Sequence, residues 1–368
     1  MPLPLDKWLE TLVGNAGSDI LLVTDAPVCM LIEGEVKGMD TPPLSGAEIE
    51  SAVLPALTPH ALELYRRDGI ADSSYRVQGL GRFRINLHHQ RGEAAAAIRA
   101  LPARVPQLAD LNLPPQVQAL AGLKRGLVLI GGAAGSGKST TLAAIINEIN
   151  RASARHIVII EDPLEYEHVH EHSIIEQIEI GTDAPDFPTA LRAALRQAPE
   201  ILVVGEMRDP ETMRIAVSAA ETGHLVFSTL HTTDIASTIA RVCDSFPVER
   251  QNTIRQDLAM ALTAVMTQIL VPSNSGKRVP AVELLMLGYG TRHHIRRNAL
   301  QHLHQEITLT KNAGSQTLEE SLARLVMERK IDREEAMMRA VHQDDLVSLL
   351  KSLHAPDQSS APWSRVTN

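Results

Sequence analysis

Cysteine is nearly absent from this 368-residue chain: Cys29 and Cys243 are the only two, and neither stands in a metal-ligand spacing. A disulfide scaffold and a cysteine-based zinc site are therefore excluded, and two lone buried thiols in a reducing compartment are expected. Aromatic residues make up only 3% of the chain against 44% hydrophobic, so Leu, Ile, Val and Ala must fill the core. Basic charge is in deficit, 35 Lys and Arg against 44 Asp and Glu for a formal charge of −9. That balance argues against a nucleic-acid binder, whose affinity rests on phosphate neutralisation. No apolar run approaches the roughly 18 residues of a membrane span. The opening Met1-Pro-Leu-Pro-Leu-Asp-Lys7 lacks the basic start and apolar stretch of a secretory leader. A cytoplasmic chain without direct membrane insertion is the expectation.

What is present begins at Gly132-Ala-Ala-Gly-Ser-Gly-Lys138-Ser139, which spells G-x-x-x-x-G-K-[ST]. The glycines, Gly132, Gly135 and Gly137, let the chain curl so that successive N–H groups face one anion, and the helix start adds a favourable dipole. An apolar run, Leu127-Val-Leu-Ile130, precedes the loop, and helix-compatible spacing from Thr140 follows it. Strand, loop and helix start are the context that phosphate binding needs. Ser136 and Thr140 join the loop's polar lining. Lys138 would reach the β- and γ-phosphates, and the Ser139 hydroxyl would ligate Mg²⁺.

Three further apolar runs of strand length end in chemistry. Ile157–Ile160 leads into Glu161-Asp162-Pro-Leu-Glu165, Ile201–Val204 into Gly205-Glu206, and Leu225–Thr229 into Leu230-His231. Open parallel sheets bind ligands at the carboxyl ends of their strands. Glu206 stands where an acid would polarise the attacking water or hold it through the metal. Asp162 and Glu165 offer a second acidic cluster for the metal's water shell, and His231 could sense the γ-phosphate. For His224 and His231 a structural role is the plainer alternative.

Along the chain, residues 1–104 read as a mixed α/β domain, 105–116 as a linker containing Pro106, Pro114 and Pro115, and 117–368 as strands alternating with helices. Strands are expected over Asp19–Thr24, Val28–Ile32, Arg82–His88 and Ala94–Leu101, with helical spacing from Ile49 to Arg66. In the third strand Phe83, Ile85 and Leu87 alternate with Arg82 and Arg84, putting the two arginines on one face. Asp209-Pro210 reads as a helix cap followed by proline at the first helical position. The chain past Glu249 reads as helical to about Leu270, an apolar run follows at Val279–Met286, helices reach about Leu353, and a polar tail from Ala355 is expected to be disordered. His168, His170 and His172 alternate; a metal site or a polar loop at the sheet edge would both account for them.

These motifs together resemble the type IV pilus motor ATPases of the secretion ATPase superfamily. The residues that carry the likeness are Gly132–Ser139, Glu161–Glu165, Leu195-Arg-Gln-Ala-Pro-Glu-Ile-Leu-Val-Val-Gly-Glu206-Met-Arg-Asp209, and Glu221-Thr-Gly-His224 with Thr229-Leu-His231. Gly17-Ser-Asp19, Gly81-Arg-Phe-Arg84 and Gln90-Arg91-Gly92 match the family's N-terminal PAS-like domain, and Arg241, Asp244 and Phe246-Pro247 its helical region. The resemblance is to the retraction members, PilT-like and PilU-like. Gln197-Ala-Pro199 and the segment Val341–Lys351 look PilU-like, while Thr291-Arg-His-His-Ile-Arg-Arg297 keeps Arg292, Ile295 and Arg296 of the retraction signature but carries histidines at 293 and 294.

The resemblance implies a RecA-like P-loop ATPase domain with a helical C-terminal extension, a homohexameric ring, and ATP with Mg²⁺ bound between subunits. It implies Glu206 as catalytic glutamate with Glu165 as companion, and arginines of a neighbouring N-terminal domain completing the site. Arg82, Arg84, Arg91 and Arg99 are the candidates. The expected partners are a main retraction ATPase and the inner-membrane platform protein of the pilus machine, with the chain at the inner face of the cytoplasmic membrane. Two other readings stay open: a nucleotide-binding protein that docks on the main motor ring, and a motor of type II secretion or conjugation.

Overall fold

The computed structural model describes residues 4–354, and the tail from Ala355 lies outside them. The described chain divides into two compact units. One runs to Gln107 and adds Ile146–Ala219 and His224–Ser228; the other takes Leu108–Ile145, Ala220–Gly223 and the chain from Thr229 onward.

The first unit opens with α1 (Pro4–Gly14), β1 (Asp19–Leu22), β2 (Cys29–Ile32), β3 (Glu35–Gly38), α2 (Gly46–Val53), α3 (Pro59–Asp68), β4 (Ile70–Val77), β5 (Gly81–Gln90) and β6 (Glu93–Ala100). The six strands form one sheet in the order β3-β2-β1-β6-β5-β4, antiparallel throughout. Phe83, Ile85 and Leu87 point into a core shared with Leu5, Leu9, Leu12, Ile20, Ile49 and Val53, as the alternation along β5 requires. Where one helical pattern spans Ile49–Arg66 in the sequence, the chain makes two helices with a 3-10 turn at Leu54–Ala56. Thr58 caps the second through the Ala61 N–H, and Pro59, with no N–H to give, suits only a first turn. The capping box of Ser45 and Glu48 starts α2, and it holds the Glu48 carboxyl below its usual range through the Ser45 backbone N–H and hydroxyl.

The rest of the chain supplies α4 (Pro115–Gln118), β7 (Gly126–Gly131), α5 (Lys138–Ala152), β8 (His156–Glu161), β9 (Ile174–Glu179), α6 (Phe187–Ala194), β10 (Ile201–Glu206), α7 (Pro210–Glu221), β11 (Leu225–Leu230), α8 (Ile235–Asp244), α9 (Val248–Ala261), β12 (Leu262–Pro272) and β13 (Arg278–Met286). It ends in α10 (Tyr289–Arg296), α11 (Leu303–Leu309), α12 (Leu318–Met327), α13 (Arg333–Arg339) and α14 (Gln343–His354). Among these strands, those of the second unit run in the order β13-β12-β7 and those of the first in the order β10-β8-β9. Within the first unit β8 lies parallel to β9 and β10. Within the second, β12 lies parallel to β7 and antiparallel to β13. Asp209 caps α7 through Thr212 N at 2.8 Å, with Pro210 at the first helical position.

One expectation is overturned. Residues 262–272, expected to continue a helix to about Leu270, form β12. Its residues from Ala264 to Gln268 are all buried, so the strand shows no polar alternation, and periodicity alone does not separate such a run from a buried helix. Of the two thiols, Cys243 is buried and Cys29 only half-buried; both are free, and burial pushes the Cys243 thiol up to about 11. Among the described residues no helix is long and apolar enough to cross a membrane.

Candidate nucleotide site

The phosphate loop belongs to the second unit. Gly132, Gly135 and Gly137 have φ of 155°, 73° and 86°, in or at the edge of the region that side chains avoid. A Cβ on Gly132 would come within 2.6 Å of the Gln268 carbonyl oxygen, and one on Gly137 within 2.9 Å of Gln268 Nε2. The loop is thus pressed against β12, and glycine is required for its shape. Register explains why Gln268 stands there: Gly131, the last residue of β7, pairs with Thr267. The Gln268 side chain donates to the Ser136 carbonyl at 2.7 Å and accepts from Thr141 Oγ1 at 2.8 Å. One amide therefore ties the loop to the first turn of α5.

Lys138 is buried at the start of α5. Its ammonium donates to the carbonyls of Gly132 (2.7 Å) and Ala133 (3.0 Å) and lies 3.5 Å from His231 Nδ1. Of the sequence-derived residues, these two are brought together. Ser139 and Thr140 are half-buried beside it. The buried Ser136 hydroxyl has no hydrogen-bond partner. Curled glycines, a fixed ammonium and an orphan hydroxyl form a cradle that fits the phosphates of a nucleotide.

The acidic residues belong to the first unit. Glu206 ends β10 and is half-buried, with the Arg208 guanidinium at 2.8 Å. Gly205 before it is held close to β8, since a Cβ there would sit 2.9 Å from Glu161 Cγ. Glu161 ends β8; burial, with the Glu165 and Glu179 charges adding, pushes its carboxyl up to about 7. It accepts the Glu165 N–H at 3.3 Å. Asp162 is also raised, by burial against the opposing pull of Arg208 and Arg84. Glu165 is exposed. His224 is half-buried, its Nδ1 3.0 Å from the Ala219 carbonyl.

The arginines are dispersed. Arg82 turns to the buried Glu179 at 2.5 Å, whose carboxylate also accepts from Ser74 Oγ, Thr182 Oγ1 at 3.3 Å and Leu164 N at 3.2 Å. Arg84 is 44% exposed, 3.5 Å from Asp72. Arg99 is bonded to Asp19 at 2.8 Å. Arg91 is exposed at the turn between β5 and β6. The alternating histidines lie in the loop before β9: His170 Nδ1 accepts the Ile175 N–H, and burial pushes His168 down to about 4. Gln268, Glu179 and Arg208 carry no role in the sequence reading. A lone amide inside an apolar run was the available signal for Gln268, and the Glu206-Met-Arg208 spacing for Arg208.

The type II/IV secretion system protein family matches residues 82–355. Relatives include the type IV pilus retraction ATPase PilT of Pseudomonas aeruginosa, 38% identical over 326 residues, 89% of this chain and 95% of that protein. The type IV pilus ATPase PilU of the same organism is 35% identical over 347 residues, 94% of this chain and 91% of that one. A crystal structure of the pilus retraction motor PilT with bound ADP matches at a TM-score of 0.85 and 39% identity, covering 94% of this chain and 100% of that chain. Similar identities to PilT and PilU leave the two branches undistinguished by likeness alone.

Proposed function

This chain belongs to the type II/IV secretion system protein family, and we propose that it is an ATP-hydrolysing motor that powers the retraction of type IV pili for twitching motility. It works as a cytoplasmic homohexamer at the inner face of the membrane, on the platform protein of the pilus machine and beside a principal retraction motor. The phosphate cradle is the observation that carries the reading: Lys138 fixed at the loop mouth, over glycines whose conformation no other residue adopts cheaply. Likeness to PilT across nearly the whole chain supports the pilus assignment. The histidines at 293 and 294 within α10 are the feature that favours the accessory role.

In hydrolysis, water attacks the γ-phosphorus, the bond to the leaving ADP oxygen breaks, and the water proton passes to a base. Glu206 orients that water and takes the proton, with Glu165 as its companion. Lys138, Ser136, Thr140 and the loop N–H groups hold the phosphates, and His231 and His224 respond to the γ-phosphate. Ser139, Asp162, Glu165 and Glu206 are the residues that would hold Mg²⁺ or its waters, and the ion would supply charge neutralisation at the phosphates. Arg84, Arg91 and Arg99 reach the neighbouring subunit's nucleotide, while Arg82 is paired with Glu179.

Glu206→Gln should lower ATP turnover about 100-fold or more while ADP still binds, and Lys138→Ala should weaken binding itself. Cells lacking the protein should carry excess pili and twitch poorly under load. Unchanged turnover in Glu206→Gln removes the enzymatic reading, and bald cells replace retraction with assembly.

A further inference from the structure

Away from the residues above, the described chain gathers histidine and carboxylate ligand atoms at one place. His304 on α11, with His342 and Asp345 at the start of α14, present one ligand atom each, all within 4.8 Å of one another. The imidazole rings of His304 and His342 lie with centroids 4.0 Å apart, tilted by 38°, and His304 Nε2 lies 3.7 Å from Asp345 Oδ2. We propose that these three side chains bind a divalent transition-metal ion of the zinc, cobalt or nickel class, and that the ion ties α11 to the head of α14.

The donor set selects that class. Two imidazoles and one carboxylate suit zinc and its neighbours, whereas magnesium and calcium take oxygen ligands. Bonds of about 2.0–2.2 Å to nitrogen and oxygen put tetrahedral ligand atoms about 3.3–3.5 Å apart. The His304–Asp345 pair at 3.7 Å is already close to that, and rotation of the exposed His342 closes the rest. One metal ion would satisfy all three donors together.

The backbones beneath the ligands are fixed, so little ordering is needed on binding. Leu303 and Ile307 bury α11, and Leu346 and Leu350 bury α14. Between the two helices the buried Glu319 carboxylate accepts the N–H groups of Val341 (3.1 Å) and His342 (2.9 Å), which fixes the position from which His342 projects. His304 is half-buried while His342 and Asp345 are exposed, leaving room for water as the remaining ligand. Three protein ligands and an open position describe a site that exchanges its ion.

The test uses the full chain, free of tag histidines, stripped of metal and nucleotide. Wild type titrated with Co²⁺ should bind one ion per chain and develop visible absorption bands that Zn²⁺ abolishes by competition. His304→Gln and His342→Gln should each weaken Co²⁺ binding by roughly tenfold or more, as loss of a ligand at such sites does, and remove the bands. Asp345→Asn should shift them. The exposed His60 on α3 serves as the control: His60→Gln should bind as wild type. The proposal is overturned if wild type shows no bands, if the His304→Gln/His342→Gln double variant binds Co²⁺ as wild type does, or if the control loses as much as the site variants.

Discussion

Two carboxylates, Glu179 buried and Glu283 half-buried, show how side chains decide what individual positions can do. Glu179 has its charge matched by Arg82 and its lone pairs taken by Ser74, Thr182 and the Leu164 N–H. Arg82 and Arg84, which share a strand face in the sequence, thus meet different carboxylates of their own chain. Among the described residues no cation is paired with Glu283 on β13. Burial first, then the charges of Glu319 and Asp234, push its carboxyl from 4.5 up to about 7, against the Ile235 N–H and Thr267. The folded chain therefore keeps a proton that the unfolded chain has released. Stability is untouched below about pH 4.5, falls as pH rises to about 7, and stays reduced above it. Glu283→Gln should accordingly be more stable than wild type by about 1–3 kcal/mol at pH 8, allowing 1.36 kcal/mol for each pKa unit. The gap should close towards pH 5. Urea unfolding at pH 5, 6.5 and 8 measures it; an equal gap at all three pH values would show that charge is not the cause.

At the scale of elements, legibility followed locality. The phosphate loop was readable because its glycines, lysine and serine lie within eight residues and the conformation they need is local. β5 was readable because one face is buried and the other is not. β12 was misread as helix because it is buried along most of its length, and with it went Gln268, whose meaning comes only from the pairing of Gly131 with Thr267. Glu179 was invisible for the same reason: its partner Arg82 is 97 positions away. Gln268 is where β12 acts on the loop. Gln268→Met keeps the volume but leaves the Ser136 carbonyl and Thr141 hydroxyl unsatisfied, at about 1–3 kcal/mol each. ADP affinity should fall roughly tenfold, with the lowered unfolding midpoint restored in part by saturating ADP. Fluorescent-nucleotide titration and thermal unfolding read the two effects. Wild-type ADP affinity in the variant would reduce the amide to packing.

For the molecule as a whole, the proposed ring would place the phosphate loop and the arginines proposed to complete its site in different chains. A ring closes through heterologous contacts, one face of each subunit against a different face of the next, so each interface pairs the loop of one chain with the arginines of another. This arrangement makes two inactive variants complementary. Lys138→Ala chains keep their arginines but lack the loop lysine; Arg84→Ala/Arg91→Ala chains keep the loop but lack two of the three arginines. Either alone should turn over ATP poorly. Mixed in equal amounts and allowed to assemble at random, they form an interface with both intact parts at about one position in four, following from the heterologous pairing. Turnover should then recover towards about a quarter of the wild-type rate, and recovery should vanish when one chain carries both sets of substitutions. If the arginines served the loop of their own chain, no mixture would contain a complete site and the mixed sample would stay at the mean of its two components. Steady-state ATP hydrolysis across a series of mixing ratios separates the outcomes, because recovery between chains peaks at equal amounts and a simple mean does not.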